Sequence, residues 1–241
     1  MKALILALMA GILMVPAAGA QTIQAVTEAT SYSFLKQGKV VGPATEVVEL
    51  SLKQAGLVDY RINLYPWARS YDMALKEPNV LIYLIARTPA REPQFKWVGE
   101  LMKIQFHLYK LKGQKAVVKN LQDAKSFTIG VLRDDIRHQY LKEKGFTRLV
   151  VSAQQAEILR KLVSGQVDLI PLPEDDAASL CKEAGINCDS LERIYTLDEL
   201  STGLYMAYSH STPDIVVERT RNAFEKLKTA GTVKSIMEKK R

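Results

Sequence analysis

The sequence predicts an α/β protein of two lobes, each a mostly parallel sheet flanked by helices. Short apolar runs alternate with amphipathic helical stretches from Thr22 to Glu77, and the same alternation starts afresh near Val118 and runs to Leu172. Strands alternating with helices favour parallel pairing, and two successive runs argue for two bodies. A third observation places the chemistry. The apolar run Val80 to Ile85 ends in Arg87-Thr88-Pro89-Ala90-Arg91, and Phe95, Trp97 and Val98 then lead to Gly99. Thr88-Pro89 halts regular pairing and biases the chain to a turn. Arg91 is thereby delivered just past the carboxyl end of a strand, where open α/β sheets take ligands. Its planar fork offers a carboxylate two parallel charge-assisted hydrogen bonds. A solvated or structurally paired surface arginine is the bland alternative.

In chain order, Lys2, the apolar run Ala3 to Val15 and the small-residue site Pro16-Ala17-Ala18-Gly19-Ala20 read as a secretory signal peptide, residues 1–20, cleaved after Ala20. The run falls short of the roughly 20 residues that span a bilayer. Losing the one lysine of this segment lowers the formal charge from +7 to +6. An exported chain without a basic-aromatic motif is not expected to bind nucleic acid. Cys181 and Cys188 are the only cysteines. In an oxidising compartment they read as a disulfide closing a small loop, worth about 2 to 3 kcal/mol by chain entropy. None of the three histidines is near enough in sequence to suggest a metal site instead, and no metal or cofactor is expected.

Thr22 to Thr27 alternates like a first strand. Ser31-Tyr32-Ser33-Phe34 then brings two aromatics into a loop before Gly38 and Val40-Val41. Gly42-Pro43-Ala44-Thr45 opens a helix capped by Thr45, with Val47, Val48, Leu50, Leu52 and Ala55 on its apolar face and Gly56 at its end. Tyr60 to Leu64 is a strand. Tyr65-Pro66-Trp67 turns into a helix to about Glu77, placing Trp67 at a strand-to-helix junction on the same sheet edge as Arg91. Lys103 to Lys110 alternates as one strand. The second half gives a short helix at Val118 to Asp123, a strand at Thr128 to Leu132, a helix at Ile136 to Lys144, a strand at Arg148 to Val151, a helix at Ala153 to Val163 with Ala156, Leu159, Leu162 and Val163 on its apolar side, and a strand at Val167 to Leu172. Asp134 or Asp135 caps the helix at Ile136, or faces a cleft. Glu174, Asp175 and Asp176 open the next helix, where acids suit its dipole. Gly203 to Ser209 is a strand, Pro213 to Lys228 a helix, and Ala230-Gly231-Thr232 leads to a last helix.

The strand followed by Thr88-Pro89-Ala90-Arg91 and Phe95-x-x-x-Gly99 resembles a segment of family 3 bacterial extracellular solute-binding proteins, the receptors of polar amino-acid ABC importers. AGTVKSIMEK at the end resembles their closing Gly-Thr-x-x-x-Ile. Gly165 to Asp176 resembles their Gly-x-x-Asp-Ala-x-x-x-Asp signature, with Pro173 at the acid position and Glu174 beside it. Arg133-Asp134-Asp135 stands where they show Gly-Thr-Thr, and Gly42-Pro43-Ala44-Thr45-Glu46 where they show Gly-Phe-Asp-x-Asp.

The resemblance implies a periplasmic-binding-protein-like fold of type II with a two-stranded hinge. The first lobe is then discontinuous, residues 21–108 and 200–241, and the second is 109–199. It implies Arg91 on the ligand carboxylate and an aromatic, Tyr32 or Phe34, stacked on the ligand, with core packing as the other role for these two. Trp67, from its junction, walls the same cleft or packs as a scaffold residue, and an acid from Asp134 or Glu174 meets a ligand cation. The expected role is a monomeric periplasmic receptor that closes on a small polar solute and hands it to a membrane permease. A ligand-sensing subunit for a signalling partner is the alternative from another class. An enzyme, dehydratase or lytic, is the third reading, with Glu46, Glu174 and Asp175 as the acids to nominate; no nucleophile-base pair, metal-ligand spacing or phosphate loop supports it.

Overall fold

A computed structural model describes residues 22–238, apart from the side chains of 174, 175 and 183. The signal peptide with its cleavage after Ala20, the basic end at 239–241 and the Glu174 side chain lie outside the described residues. The first half contains β1 (Ile23–Thr27), β2 (Phe34–Lys36), β3 (Lys39–Val41), α1 (Pro43–Gln54), β4 (Tyr60–Leu64), α2 (Trp67–Lys76), β5 (Val80–Ala86) and β6 (Phe95–Ile104). The middle contains β7 (His107–Leu111), β8 (Ile129–Leu132), α3 (Ile136–Glu143), β9 (Leu149–Ser152), α4 (Gln155–Val163), β10 (Ile170–Leu172), α5 (Glu174–Ala184) and β11 (Leu191–Thr196). The chain ends with β12 (Thr202–Ser209), α6 (Asp214–Thr229) and α7 (Thr232–Met237).

One sheet has the order β4-β1-β5-β12-β6. β1 pairs in parallel with β4 and β5, while β12 runs antiparallel to both of its neighbours, β5 and β6. Every strand here except β12 therefore points one way. All of β5 is buried, as an unbroken apolar run should be when both sheet faces are covered. Helix α2 packs against β5, and α6 against β6. Gly99 makes the second contact possible, because a Cβ there would lie 2.1 Å from Cε1 of the fully buried Phe224 on α6.

The second body repeats the plan. β8 and β9 pair in parallel, and Leu169, next to β10, bridges Ile129 of β8 in parallel. β7 alone is reversed, antiparallel to β10 and β11. The reversed strand in each body is the one that enters from the other. The two crossings are Gln105-Phe106 and the stretch from Leu197 to Ser201, and Leu197 N donates to Phe106 O at 2.8 Å, tying them side by side. The architecture is thus two α/β lobes, each a mostly parallel sheet with helices on its faces.

Four local readings change. KIQFHLYK is not one strand: alternation runs on through Gln105-Phe106, but the pairing partner changes there. Thr45 does not cap α1, which begins at Pro43. It is buried, with its hydroxyl 2.9 Å from that of Ser33 and 3.1 Å from that of Tyr83. Val118 to Asp123 is not helical, since the Asp123 carboxylate accepts from the backbone N–H groups of Lys119 and Asn120 and closes a turn instead. Val163 is exposed rather than on the apolar side of α4, where Ile158, Leu159 and Leu162 are buried. Cys181 and Cys188 are disulfide-bonded, their Cα atoms 5.3 Å apart.

Candidate functional site

Arg91 is held by the turn that Thr88-Pro89 begins: its own N–H donates to Thr88 O at 3.0 Å. The side chain then runs inward and is 1 % exposed. Nη1 donates to Ala86 O at 3.3 Å, and Nη2 to Asp134 O and Gln139 Oε1, each at 3.2 Å. The guanidinium carbon stands 4.9 Å from the ring centre of Tyr71 and 5.5 Å from that of Trp67, within cation–π range. Among described buried side-chain nitrogens and oxygens, Arg91 Nε is the one without a hydrogen-bond partner. A buried charged donor left unpaired is costly, so its persistence at a cavity wall points to a ligand acceptor.

Trp67 is the first residue of α2. It is buried, stacks on Tyr71 at 5.8 Å and donates from Nε1 to Asp134 O at 3.0 Å. Asp134 enters the site by its carbonyl: the residue sits at φ 57, and its side chain is exposed while its carbonyl accepts from Trp67, Arg91 and Gln139. Asp135 is the cap of α3, accepting from Arg137 N at 2.8 Å, and its carboxylate is paired with the Arg137 guanidinium. Arg137 also donates to Pro171 O and Gln155 Oε1. Tyr32 reaches the cavity from the loop after β1. Gly42 permits that approach, because at φ 127 a Cβ would stand 2.4 Å from Tyr32 O. Asp168, the first acid of its segment, holds the lobe together by accepting from Thr128 N at 2.7 Å.

These groups surround a cavity of about 40 Å³ between the lobes. Arg91, Trp67 and Tyr32 line it from the first lobe and Asp135 and Arg137 from the second; the Asp134 side chain does not. Sequence reasoning missed Glu28, Arg137 and Asp176, all of which line it. Glu28 directly follows β1, at the sheet edge where a parallel strand order alone would have marked it. Arg137 lies in the first turn of a helix, where a cation opposes the dipole and calls for a specific partner. The Glu28 carboxyl is pushed up to about 8, first by burial and then by the charges of Asp135 and Asp176, with Arg137 pulling the other way. It therefore keeps its proton at neutral pH. A second inter-lobe tie completes the rim, Ser31 Oγ donating to Asp176 Oδ1 at 3.1 Å.

The fold and the cleft define a class, the two-lobed proteins built like periplasmic binding proteins. No model of a known family matches the sequence, and no curated protein matches it. Solved structures do. A histidine kinase sensor domain described as similar to periplasmic binding proteins aligns with TM-score 0.80 at 18% identity, covering 90% of this chain and 94% of that one. An ancestral arginine-binding protein bound to arginine aligns with TM-score 0.77 at 20% identity, covering 91% and 97%. The arginine-, lysine-, histidine-binding protein ArtJ of Geobacillus stearothermophilus aligns with TM-score 0.76 at 19% identity, covering 91% and 95%. At these identities the likeness establishes the fold; the chemistry must come from the site.

Proposed function

We propose that this chain is an exported solute receptor that captures a small polar, carboxylate-bearing solute, an amino acid or similar, between its lobes and delivers it to an ABC importer. The observation that carries this is Arg91: a buried guanidinium with an unpaired Nε, at an inter-lobe cavity, within cation–π range of the Trp67 and Tyr71 rings. The lobes, 21–108 with 200–241 and 109–199, act as the closing halves, and the paired crossings act as the hinge. Binding to the closed form shifts the hinge equilibrium by the solute's differential affinity and no more. In this reading the leader expected at 1–20 exports the chain to the periplasm, where it works as a monomer with a membrane permease as its partner. The chain, so read, binds its solute without converting it, and Asp135 at the cavity is held in an ion pair with Arg137. Sensing for a signalling partner is the second reading, favoured by the full-length likeness to a kinase sensor domain.

The test is a thermal-shift screen of the mature protein with amino acids, dicarboxylates and polyamines, each hit checked for turnover by mass. A solute at 100 times its dissociation constant adds about 2.7 kcal/mol. Carboxylate hits recovered unchanged support the receptor; conversion of a hit, or stabilisation by polyamines alone, contradicts it.

A further inference from the structure

The inner cavity shares part of its lining with a larger space. A groove of about 900 Å³ runs outward between the β2–β3 hairpin and α5, and Glu28, Thr30, Arg137 and Asp176 line both it and the inner cavity. These four form a neck, polar on all sides. Beyond the neck the groove is walled by Leu35 and Lys36 of the hairpin and by Leu180 and Lys182 of α5.

We propose that the solute is a short peptide bound carboxyl end first, its terminal carboxylate on Arg91 and its preceding residues laid through the neck into the outer groove. This rests on the receptor reading above and specifies its ligand. Three observations carry it. The inner cavity has room for about three water-sized probes, which suits a carboxylate head but not a whole amino acid, so the rest of the solute must leave through the neck. None of the three acids that line the inner cavity offers a free carboxylate at neutral pH: Asp135 is paired with Arg137, Asp176 accepts from Ser31, and the Glu28 carboxyl keeps its proton. An α-ammonium beside the bound carboxylate would therefore meet no uncommitted anion there, whereas the amide nitrogen of a peptide is neutral at that position. The neck offers acceptors from Glu28 and Asp176 and donors from Arg137, which match amide N–H and C=O groups. An alkyl tail would leave those groups facing apolar surface at a desolvation cost.

The experiment uses the mature protein with four probes: a pool of dipeptides and tripeptides, the same pool carrying carboxyl-terminal amides, a pool of the twenty free amino acids, and buffer. The free-acid peptide pool is expected to raise the melting temperature by about 4 °C or more, and native mass spectrometry to recover a peptide mass. The amidated pool and the amino acids leave it unmoved. Leu35→Asp, at a hairpin residue 62% exposed, is expected to weaken peptide binding at least about tenfold without changing the melting temperature of the free protein. Stabilisation by amino acids but not peptides overturns the peptide assignment and leaves the receptor standing. Equal binding of amidated peptides, or peptide binding indifferent to Leu35→Asp, overturns the orientation or the groove and so the proposal. Silence from every pool overturns the peptide assignment, and the receptor reading then stands or falls on the dicarboxylates of the screen above.

Discussion

Three donors, Trp67 Nε1, Arg91 Nη2 and Gln139 Nε2, end on one atom, the carbonyl oxygen of Asp134. A carbonyl has two lone pairs, so this oxygen is fully used and Arg91 keeps Nε for another acceptor. Residue reasoning from sequence reached Arg91 and Trp67 because both follow strands at one sheet edge. It could not reach the Asp134 carbonyl, which faces the cleft only because that residue adopts a left-handed conformation no side-chain pattern announces. Glu28 carries the pH prediction. Its carboxyl, facing Asp135 and Arg137 of α3 and Asp176 of α5, is raised from 4.5 to about 8 in the folded, closed form. Folding or closure then takes up a proton between those values. Its contribution is complete below about pH 4.5 and falls away as pH rises toward 8. Melting temperatures from pH 5 to 8 should decline more steeply for the wild type than for Glu28→Gln. Parallel curves would show that Glu28 is not held protonated.

At the scale of elements, the strands and helices were legible wherever an apolar period ended in a turn residue. The β5 run into Thr88-Pro89 and the α5 segment after Pro173 are examples. The break at Gln105-Phe106 was hidden, because a strand that crosses between lobes keeps its alternation while its partners change. Two predictions belong here. The disulfide pins the end of α5, the helix that brings Asp176 to the neck, so Cys181→Ser with Cys188→Ser should cost about 2 to 3 kcal/mol by loop closure. That corresponds to a melting temperature roughly 4 to 12 °C lower; an unchanged value would show the loop to be held by its packing alone. Gly99→Ala sets a Cβ against Phe224, and overpacking of this kind costs about 1 to 3 kcal/mol. Chemical denaturation should record that loss, and a neutral result would mean that α6 can shift off β6 freely.

The whole molecule is two similar sheets, each with one reversed strand supplied through a paired crossing, and the hydrogen bonds that join the lobes include those of Trp67 and Arg91 to Asp134 and Gln139 and of Ser31 to Asp176. Trp67 Nε1 reaches across to Asp134, whereas the other tryptophan, Trp97, donates to Glu92 O within its own lobe at 3.2 Å. Solute binding should therefore slow hydrogen exchange of the Trp67 indole N–H and leave that of Trp97 unchanged. Equal slowing of both would indicate general stabilisation in place of hinge closure. The charge of the cleft follows from the same assembly, since Glu28 meets Asp135 and Asp176 only when the lobes are together.

The central claim is that Arg91 anchors the solute carboxylate between the lobes. The direct measurement is a calorimetric titration of the best solute from the screen against the wild type and Arg91→Ala, each first shown to be folded by circular dichroism. Truncating one partner of a buried charge pair costs about 2 kcal/mol or more, so the variant should bind at least about 30-fold more weakly or not at all. An affinity equal to that of the wild type in a folded Arg91→Ala protein would contradict the account.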